Sequence, residues 1–304
     1  MASLTGSLFD EYSTLTGAEK ANAIAAIGNI TFDAFHYDTG EGTSSNDVYI
    51  ITHSGQSISG SAGIDFVISS VSVTLAGGLE DAMLTGNSNS SLVGNSAANV
   101  LVGNDGNNLL DGRGGADTVF GGAGNDTLIG STASDVLYGG TGVDSILGGS
   151  GNDTLDGGEG SDALYGQSGS DVIYAGIGNN TVDGGSGNDL IVSGLGNDCI
   201  QGGSGSDTIN AGGGNDTVWG GTGSDVFMFA SGEGVTRIMD FSTFSDSIHI
   251  ESNINQSDIE TPTDVMQHIS ADTQGNAVIT FGSKVIVLEN VSVNDLHPGV
   301  FIIE

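Results

Sequence analysis

The sequence predicts an all-β protein whose centre is a right-handed parallel β-roll, a β-helix solenoid of nonapeptide repeats. Three observations predict this fold. A unit of nine residues repeats from residue 112 to 228 without an insertion, and most units begin with a glycine-rich turn. The sixth position of the unit is acidic in every copy but one, and the eighth position is always apolar. A short helical segment is expected before the roll, and a β-rich cap after it.

Each nonapeptide combines a turn and a short strand. In GGAGNDTLI at 121–129, the GGAG segment is a turn in which glycine permits positive φ, and the last residues form a strand with one inward side chain. Two turns and two strands make one coil of eighteen residues. The predicted inward residues are those of the eighth position: Val119, Leu128, Leu137, Ile146, Leu155, Leu164, Ile173, Val182, Ile191, Ile200, Ile209, Val218 and Phe227.

The sixth positions predict two ladders of acidic side chains, because residues eighteen apart lie above one another. One ladder contains Asp117, Asp135, Asp153, Asp171, Asp189, Asp207 and Asp225. The other contains Asp126, Asp144, Asp162, Asn180, Asp198 and Asp216. Carboxylates stacked about 5 Å apart repel one another unless a cation lies between them. Oxygen ligands favour Ca²⁺ over zinc or copper, so we expect multiple calcium ions at about nine intact Asp–Asp pairs.

Composition supports a metal-dependent fold. The 304 residues include 38 acidic and 4 basic side chains, for a net charge of −34, which argues against nucleic acid or an anionic membrane as a partner. The single cysteine, Cys199, excludes an intramolecular disulfide. The first residues do not resemble a signal peptide, and no apolar run is long enough for a transmembrane segment. We therefore expect the roll to stay largely unfolded until calcium binds.

Four segments are expected along the chain. Residues 1–45 form an N-terminal segment with one short helix, which a capping-box spacing of Thr16 and Glu19 predicts. Residues 46–75 are a β-rich lead-in, residues 76–228 are the parallel β-roll, and residues 229–304 are a C-terminal cap. The roll is metal-rich from residue 112. Before that point the units have mostly lost the acid and form a metal-poor cap, with these residues in the sixth position: Asp81, Ser90, Asn99 and Asn108.

The nonapeptides resemble the GGxGxDxUx repeat of the RTX (repeats-in-toxin) proteins, which type I secretion systems export. The resemblance implies a six-oxygen calcium site: carbonyls of positions 1 and 3 with the aspartate of one turn, and carbonyls of positions 2 and 4 with the aspartate one coil on. One such site would comprise Gly139, Thr141, Asp144, Gly158, Gly160 and Asp162. Another would comprise Gly202, Ser204, Asp207, Gly221, Gly223 and Asp225. The chain departs from the pattern at Ala133, Gln167, Ala175, Ser193 and Ala211.

The ends of the chain also resemble RTX proteins. The segment 46–86 is similar to the lead-in that precedes the repeats, and VNDLHPGVFIIE at the end resembles the uncleaved type I secretion signal. The alternative for that end is a final β-hairpin that caps the core. Asp240 and Asp246 are interpreted as turn residues, with an additional calcium site as the alternative.

No enzyme is expected. The chain contains neither HExxH nor GxSxG, the motifs of RTX proteases and lipases. We expect a secreted calcium-binding protein, extracellular or on the cell surface, that folds after export and acts as a structural or interaction protein: a matrix component, surface layer, filament or adhesin. The alternatives are a membrane-active or toxin-like factor, and an enzyme with an unrecognised N-terminal site. Expected partners are calcium ions, a type I exporter, and either a second copy or a cell-surface partner.

Side chains at the ninth position are expected to face outward, where they would form a patch for association. These residues are Phe120, Ile129, Tyr138, Leu147, Tyr165, Tyr174 and Trp219. Cys199, at the seventh position, should also face outward.

Overall fold

The computed structural model describes residues 46–54, 58–60 and 62–304, together with the backbone of 2–3, 31–32 and 34–37. The helix predicted between Thr16 and Gly28 lies outside these residues. The chain divides into two compact units, Met1–Glu159 and Gly160–Glu304. Each unit is built from two stacks of parallel strands, and consecutive strands of the repeat alternate between the stacks.

In the first unit, one stack contains β3 (Ala34–Tyr37), β4 (Asp47–Ile51), β5 (Phe66–Ser69), β7 (Asp81–Leu84), β9 (Val100–Val102), β11 (Thr118–Ala123), β13 (Val136–Thr141) and β15 (Thr154–Glu159). The other contains β6 (Val73–Thr74), β8 (Ser91–Val93), β10 (Leu109–Asp111), β12 (Thr127–Thr132) and β14 (Ser145–Ser150). An antiparallel pair is formed by β1 (Ala2–Ser3) and β2 (Thr31–Phe32).

In the second unit, one stack contains β17 (Val172–Tyr174), β19 (Leu190–Val192), β21 (Thr208–Asn210), β23 (Val226–Phe229), β25 (Ser247–Ile250) and β29 (Phe301–Ile303). The other contains β16 (Ala163–Ser168), β18 (Thr181–Ser186), β20 (Cys199–Ser204), β22 (Gly214–Thr222), β24 (Gly234–Ile238) and β28 (Lys284–Leu288), followed by the antiparallel β27 (Ala277–Phe281) and β26 (Ile269–Ala271). The helical elements are α1 (Pro262–Val265) and four 3₁₀ turns, at Ile254–Gln256, Met266–His268, Val293–Asp295 and Pro298–Val300.

The register of the strands confirms the coil of eighteen residues. Thr118 pairs with Val136 in the first unit, and Thr181 pairs with Cys199 in the second. The apolar residues of the eighth position form the core, and each is at most 2% exposed. The predicted fold class, an all-β parallel solenoid with little helix, is therefore confirmed. Among the described residues, no helix has the length and hydropathy needed to cross a membrane.

The solenoid is longer than the segment predicted from the nonapeptides. Strands β4 and β5 already pair in parallel before residue 76, and β24, β25, β28 and β29 add parallel strands after residue 228. The end of the chain is not half of a final hairpin, because β29 pairs in parallel with β25. The hairpin of the cap is instead formed by β27 and β28.

The ninth position is not uniformly exposed. Phe120 is fully buried, although it was expected to face solvent, and its ring stacks on Tyr138 with centroids 4.9 Å apart and planes 5° apart. Its partner in register, Val102, is also buried. The ninth position is therefore buried in these two coils, contrary to the expectation from the repeat. Tyr174 is 43% exposed, and Cys199 is exposed as expected.

Candidate metal centre

All twelve predicted aspartate ligands are buried at the starts of strands, and none is more than 3% exposed. One oxygen of the carboxylate accepts a hydrogen bond from a backbone N–H group of the preceding coil. Oδ1 of Asp135 accepts a hydrogen bond of 2.7 Å from the N–H of Asp117, and Oδ1 of Asp207 accepts one of 2.9 Å from Asp189. Because this bond joins residues eighteen apart, it holds each carboxylate in a fixed orientation between two coils.

In at least seven of these carboxylates, the second oxygen is buried and accepts no hydrogen bond from the protein. This is the arrangement at Oδ2 of Asp117, Asp126, Asp135, Asp189, Asp198, Asp207 and Asp225. A buried carboxylate oxygen without a positive partner is costly, because the ionised group has lost its water. A row of such oxygens, all facing the turns, fits bound cations.

Where the first residue of the nonapeptide is glycine, it keeps the space beside this oxygen open. A Cβ atom at Gly202 would lie 2.6 Å from Oδ2 of Asp207 and 2.6 Å from the carbonyl oxygen of Gly220, closer than real Cβ atoms come. A carboxylate oxygen and a carbonyl oxygen from the next coil therefore meet at this glycine. Such pairs of hard oxygen donors are the ligands that Ca²⁺ prefers.

The carbonyls point in the opposite order to the one implied by the resemblance. The carbonyl of Ser204, at position 3, accepts a hydrogen bond of 2.8 Å from the N–H of Gly187, so it faces the preceding coil. That of Thr141 likewise accepts one of 3.0 Å from Gly124. The position-1 carbonyl of Gly202 lies against Gly184, again in the preceding coil.

The carbonyls of positions 2 and 4 face the following coil. Those of Gly203 and Gly205 lie against Gly221 and Gly223, and that of Gly160 lies against Gly178. Neighbouring carbonyls alternate in direction in an extended chain, which accounts for this order. A cation between these two coils of the second unit would therefore have six oxygens to bind it, those of Gly203, Gly205, Asp207, Gly220, Thr222 and Asp225.

Burial raises the pKa of these carboxyl groups, so the protonated form is favoured unless a cation is present. The pKa of Asp117 and Asp126 is raised to about 7, mainly by desolvation and to a smaller extent by the charge of the next aspartate in each ladder. The pKa of Asp135 and Asp207 is raised to about 6 by the same causes. Backbone N–H groups oppose the shift without cancelling it. A divalent cation between the carboxylates would restore the ionised form.

Asn180 differs from the aspartates at the atom that faces the turn. Its Oδ1 accepts a hydrogen bond of 2.9 Å from the N–H of Asp162, and its own N–H donates to Oδ1 of Asp198. Its Nδ2 group is buried and has no hydrogen-bond partner. The ladder therefore presents an NH₂ donor here, where its neighbours present an oxygen.

In the metal-poor coils, side-chain amide groups of asparagine donate hydrogen bonds to oxygens of the turns. Nδ2 of Asn99 donates to the carbonyls of Leu79 and Glu80, and Nδ2 of Asn108 donates to Ser90 O and to Oδ1 of Asn104. Hydrogen bonds from these side chains thus occupy carbonyls that would otherwise face an ion.

Two further features were not predicted from the sequence. The N–H of Asp47 donates to Oδ1 of Asp65 at 2.9 Å, and the N–H of Asp65 donates to Oε2 of Glu80 at 2.7 Å, so the ladder here contains Glu80 and not Asp81, which pairs with Val100 in register. The available signal was GSAGID at 60–65, which has glycine at positions 1 and 4, but Asp65 is 15 residues from Glu80 and therefore outside the eighteen-residue frame. At the fifth position, Oδ1 of Asn188 accepts from the N–H of Ser206 at 2.7 Å, and Asn125 accepts from Val143 at 2.9 Å. The recurrent Asn or Ser before the aspartate was the corresponding signal.

The two ladders end differently. Asp246 follows Asp225, whose N–H donates to its Oδ1 at 3.2 Å, so Asp246 continues that ladder. Asp240 is a turn residue that accepts from the N–H groups of Gly220 and Gly221, both at 2.9 Å. In the other ladder, Oδ2 of Asp216 accepts a hydrogen bond of 3.3 Å from Thr236, so both oxygens of this predicted ligand already accept a hydrogen bond from the protein.

No cluster of three or more His, Cys, Asp or Glu side chains suited to a metal occurs in the part of the chain that the structure describes. The arrangement above does not require one, because each site would take one carboxylate from each of two coils and its other oxygens from the backbone.

Comparison with known protein families identifies the repeats. A family model described as the RTX calcium-binding nonapeptide repeat matches four segments: 93–128, 129–164, 165–200 and 193–227. These segments are RTX calcium-binding nonapeptide repeats. The RTX repeats of this chain therefore include the twelve predicted aspartates. No similar sequence was found among curated proteins.

Two solved structures are similar to the chain in part. The extracellular lipase LipA from Serratia marcescens matches with a TM-score of 0.35 and 15% identity over 60% of this chain. The chain spans 40% of the length of that lipase. The AlgE6R3 subunit of the mannuronan C5-epimerase from Azotobacter vinelandii matches with a TM-score of 0.25 and 22% identity, over 57% of this chain and 80% of that one.

Proposed function

We propose that this RTX β-roll protein is secreted, folds on calcium after export, and acts outside the cell as a structural or interaction protein rather than as an enzyme. The observation that carries calcium binding is the row of buried Oδ2 atoms without hydrogen-bond donors. About nine ions at two charges each would offset about half of the net charge of −34. Such a chain would stay unfolded in the calcium-poor cytosol and fold outside.

The interaction role is supported by exposed apolar side chains at the turns. Ile177 and Leu195 are 56% and 61% exposed and lie in adjacent coils, joined by a parallel bridge. Adjacent exposed apolar residues at one edge suit contact with a second copy.

Electron microscopy of negatively stained protein, with and without millimolar calcium, tests this role. We expect filaments or sheets in calcium and none in chelator, and an Ile177→Ser/Leu195→Ser variant that binds calcium but assembles poorly. Monomers of the unaltered chain under both conditions would contradict the self-associating form of the proposal.

A truncation at the C-terminus tests whether this segment directs export. Deletion of residues 292–304 removes β29 and the segment that resembles a type I signal, and leaves the RTX repeats intact. In cells that express a type I exporter, the truncated chain should remain inside. Normal secretion of that chain would place the signal elsewhere.

A further inference from the structure

Lys284 is a buried cation at the end of the repeats. It is one of only four basic residues in the chain and is 2% exposed. It begins β28, where it pairs with Gly234. Its Nζ atom donates a hydrogen bond of 2.6 Å to the carbonyl of Gly212 and lies 5.7 Å from the ring centroid of Phe229. Burial lowers the pKa of Lys284, and the charge of Asp216 opposes that shift.

Gly212 belongs to the last turn of the ladder that ends in Asp216. Gly212 and Gly214 are positions 2 and 4 of this nonapeptide, whose carbonyls face the following coil elsewhere in the repeats, and the Gly214 carbonyl does lie against Gly234. Together with Asp216 they form half of the six-oxygen set described above. The carbonyl of Glu233, which accepts from the N–H of Gly214 at 3.2 Å, comes from the other half.

The second aspartate of that set is missing. Thr236 pairs with Asp216 in register, is 1% exposed, and donates from Oγ1 to Oδ2 of Asp216. This turn therefore has carbonyl oxygens and a single carboxylate. A divalent cation here would leave a net positive charge in a buried space, whereas a monovalent ammonium with three donors matches one carboxylate and the carbonyls.

We propose that the Lys284 ammonium takes the place of a calcium ion at this turn, so that the ladder ends in a cation supplied by the chain itself. This inference rests on the proposed calcium binding by the repeats. It parallels the other end of the roll, where the amide donors of Asn99 and Asn108 occupy carbonyls of the metal-poor coils. The ladder that contains Asp225 does not end in a basic side chain, because Asp225 is followed by the acidic Asp246.

The test counts bound calcium ions per chain by equilibrium dialysis and elemental analysis at saturating calcium. Thr236→Asp restores the missing carboxylate but keeps the ammonium, and it should bind the same number of ions as the unaltered chain. Thr236→Asp/Lys284→Met supplies the carboxylate and removes the ammonium, and it should bind one more ion. Arg237→Met is the matched control, because it removes an exposed cation, paired with Glu289, from the neighbouring position in the same strand as Thr236. Its ion count should not change.

An additional ion in Thr236→Asp alone would show that the ammonium does not occupy the space, and would overturn the inference. The same conclusion would follow from an unchanged count in a folded Thr236→Asp/Lys284→Met variant. If the double variant does not fold, the single variant still decides, since it keeps Lys284. Absence of calcium binding by the unaltered chain would instead refute the proposed function, and with it this inference.

Discussion

Replacing Asn180 with aspartate should strengthen calcium binding at the turns on either side of it. Asn180 is 1% exposed, and the N–H of Asp162 holds its Oδ1 within the ladder. The group left facing the turn is an NH₂ that has no acceptor and cannot ligate a cation. In Asn180→Asp the same hydrogen bond would be kept, and an oxygen would face the turn.

The expected gain in calcium affinity follows from the unpaired Nδ2 group of Asn180. A buried polar group without a partner costs about 1–3 kcal/mol, which Asn180→Asp would recover when calcium is bound. That free energy corresponds to an increase of about 5- to 150-fold in affinity at the affected turns. Without calcium the effect should reverse, because the variant adds a negative charge between Asp162 and Asp198.

Calorimetric titration with calcium, and thermal melting in calcium and in chelator, measure both effects. We expect higher affinity or one or two additional ions, a melting temperature raised by a few °C in calcium, and no gain in chelator. If stoichiometry, affinity and melting temperature were all unchanged, the reasoning from the two ladders would be refuted.

Asn108→Asp is the matched control, because it makes the same chemical change where the amide is already satisfied. Nδ2 of Asn108 donates to Oδ1 of Asn104 at 3.0 Å and, at 3.4 Å, to the carbonyl of Ser90. The substitution would remove both donors, so it should lower the melting temperature in calcium. If Asn180→Asp and Asn108→Asp changed the melting temperature in calcium equally, the hydrogen bonds of the replaced amide would not determine the effect of the substitution.

Two further predictions concern pH and the first position of the repeat. Because the pKa of carboxyls such as Asp117 and Asp207 is raised to between about 6 and 7 in the folded chain, above about 3.9 in the unfolded chain, protonation favours the calcium-free fold. This stability is present below pH 4 and lost as the pH rises through 6 to 7, so circular dichroism of calcium-free protein should show more β structure at pH 4 than at pH 8. Calcium must displace those protons, so its apparent affinity should fall from pH 8 to pH 6; a constant affinity would contradict this. Ser193 is fully buried at a position where glycine leaves room for the ligand oxygens. Ser193→Gly should therefore raise calcium affinity severalfold in calorimetry, and a lower affinity would show that the side chain does not obstruct the turn.

The coil and its core could be predicted from the sequence because both are periodic. Each nonapeptide places one apolar residue inward, so the burial of Leu128 or Ile191 followed from position alone. The aspartate ladders were predictable for the same reason. This spacing stacks carboxylates in adjacent coils, which is why calcium was expected there.

Features that break the period could not be predicted. Lys284 contacts Gly212 across 72 residues, and no local pattern relates the two. Asp65 follows glycines at positions 1 and 4 of GSAGID, but it pairs with Glu80 only 15 residues on, so the earliest coils do not extend the eighteen-residue frame. The order of the carbonyls in each site depends on the direction of the ladder hydrogen bonds, which side-chain spacing does not record. Burial of Phe120 depends on what covers the outer face.

Far-ultraviolet circular dichroism of the full chain, in chelator and during titration to millimolar calcium at pH 7.5, tests the central claim most directly. The structure predicts a disordered spectrum in chelator, because the buried carboxylates are unpaired with cations and the core offers one apolar side chain per strand. Calcium should convert it to a β spectrum in a cooperative transition, with affinity in the extracellular range. A β spectrum in chelator that calcium leaves unchanged would contradict the account.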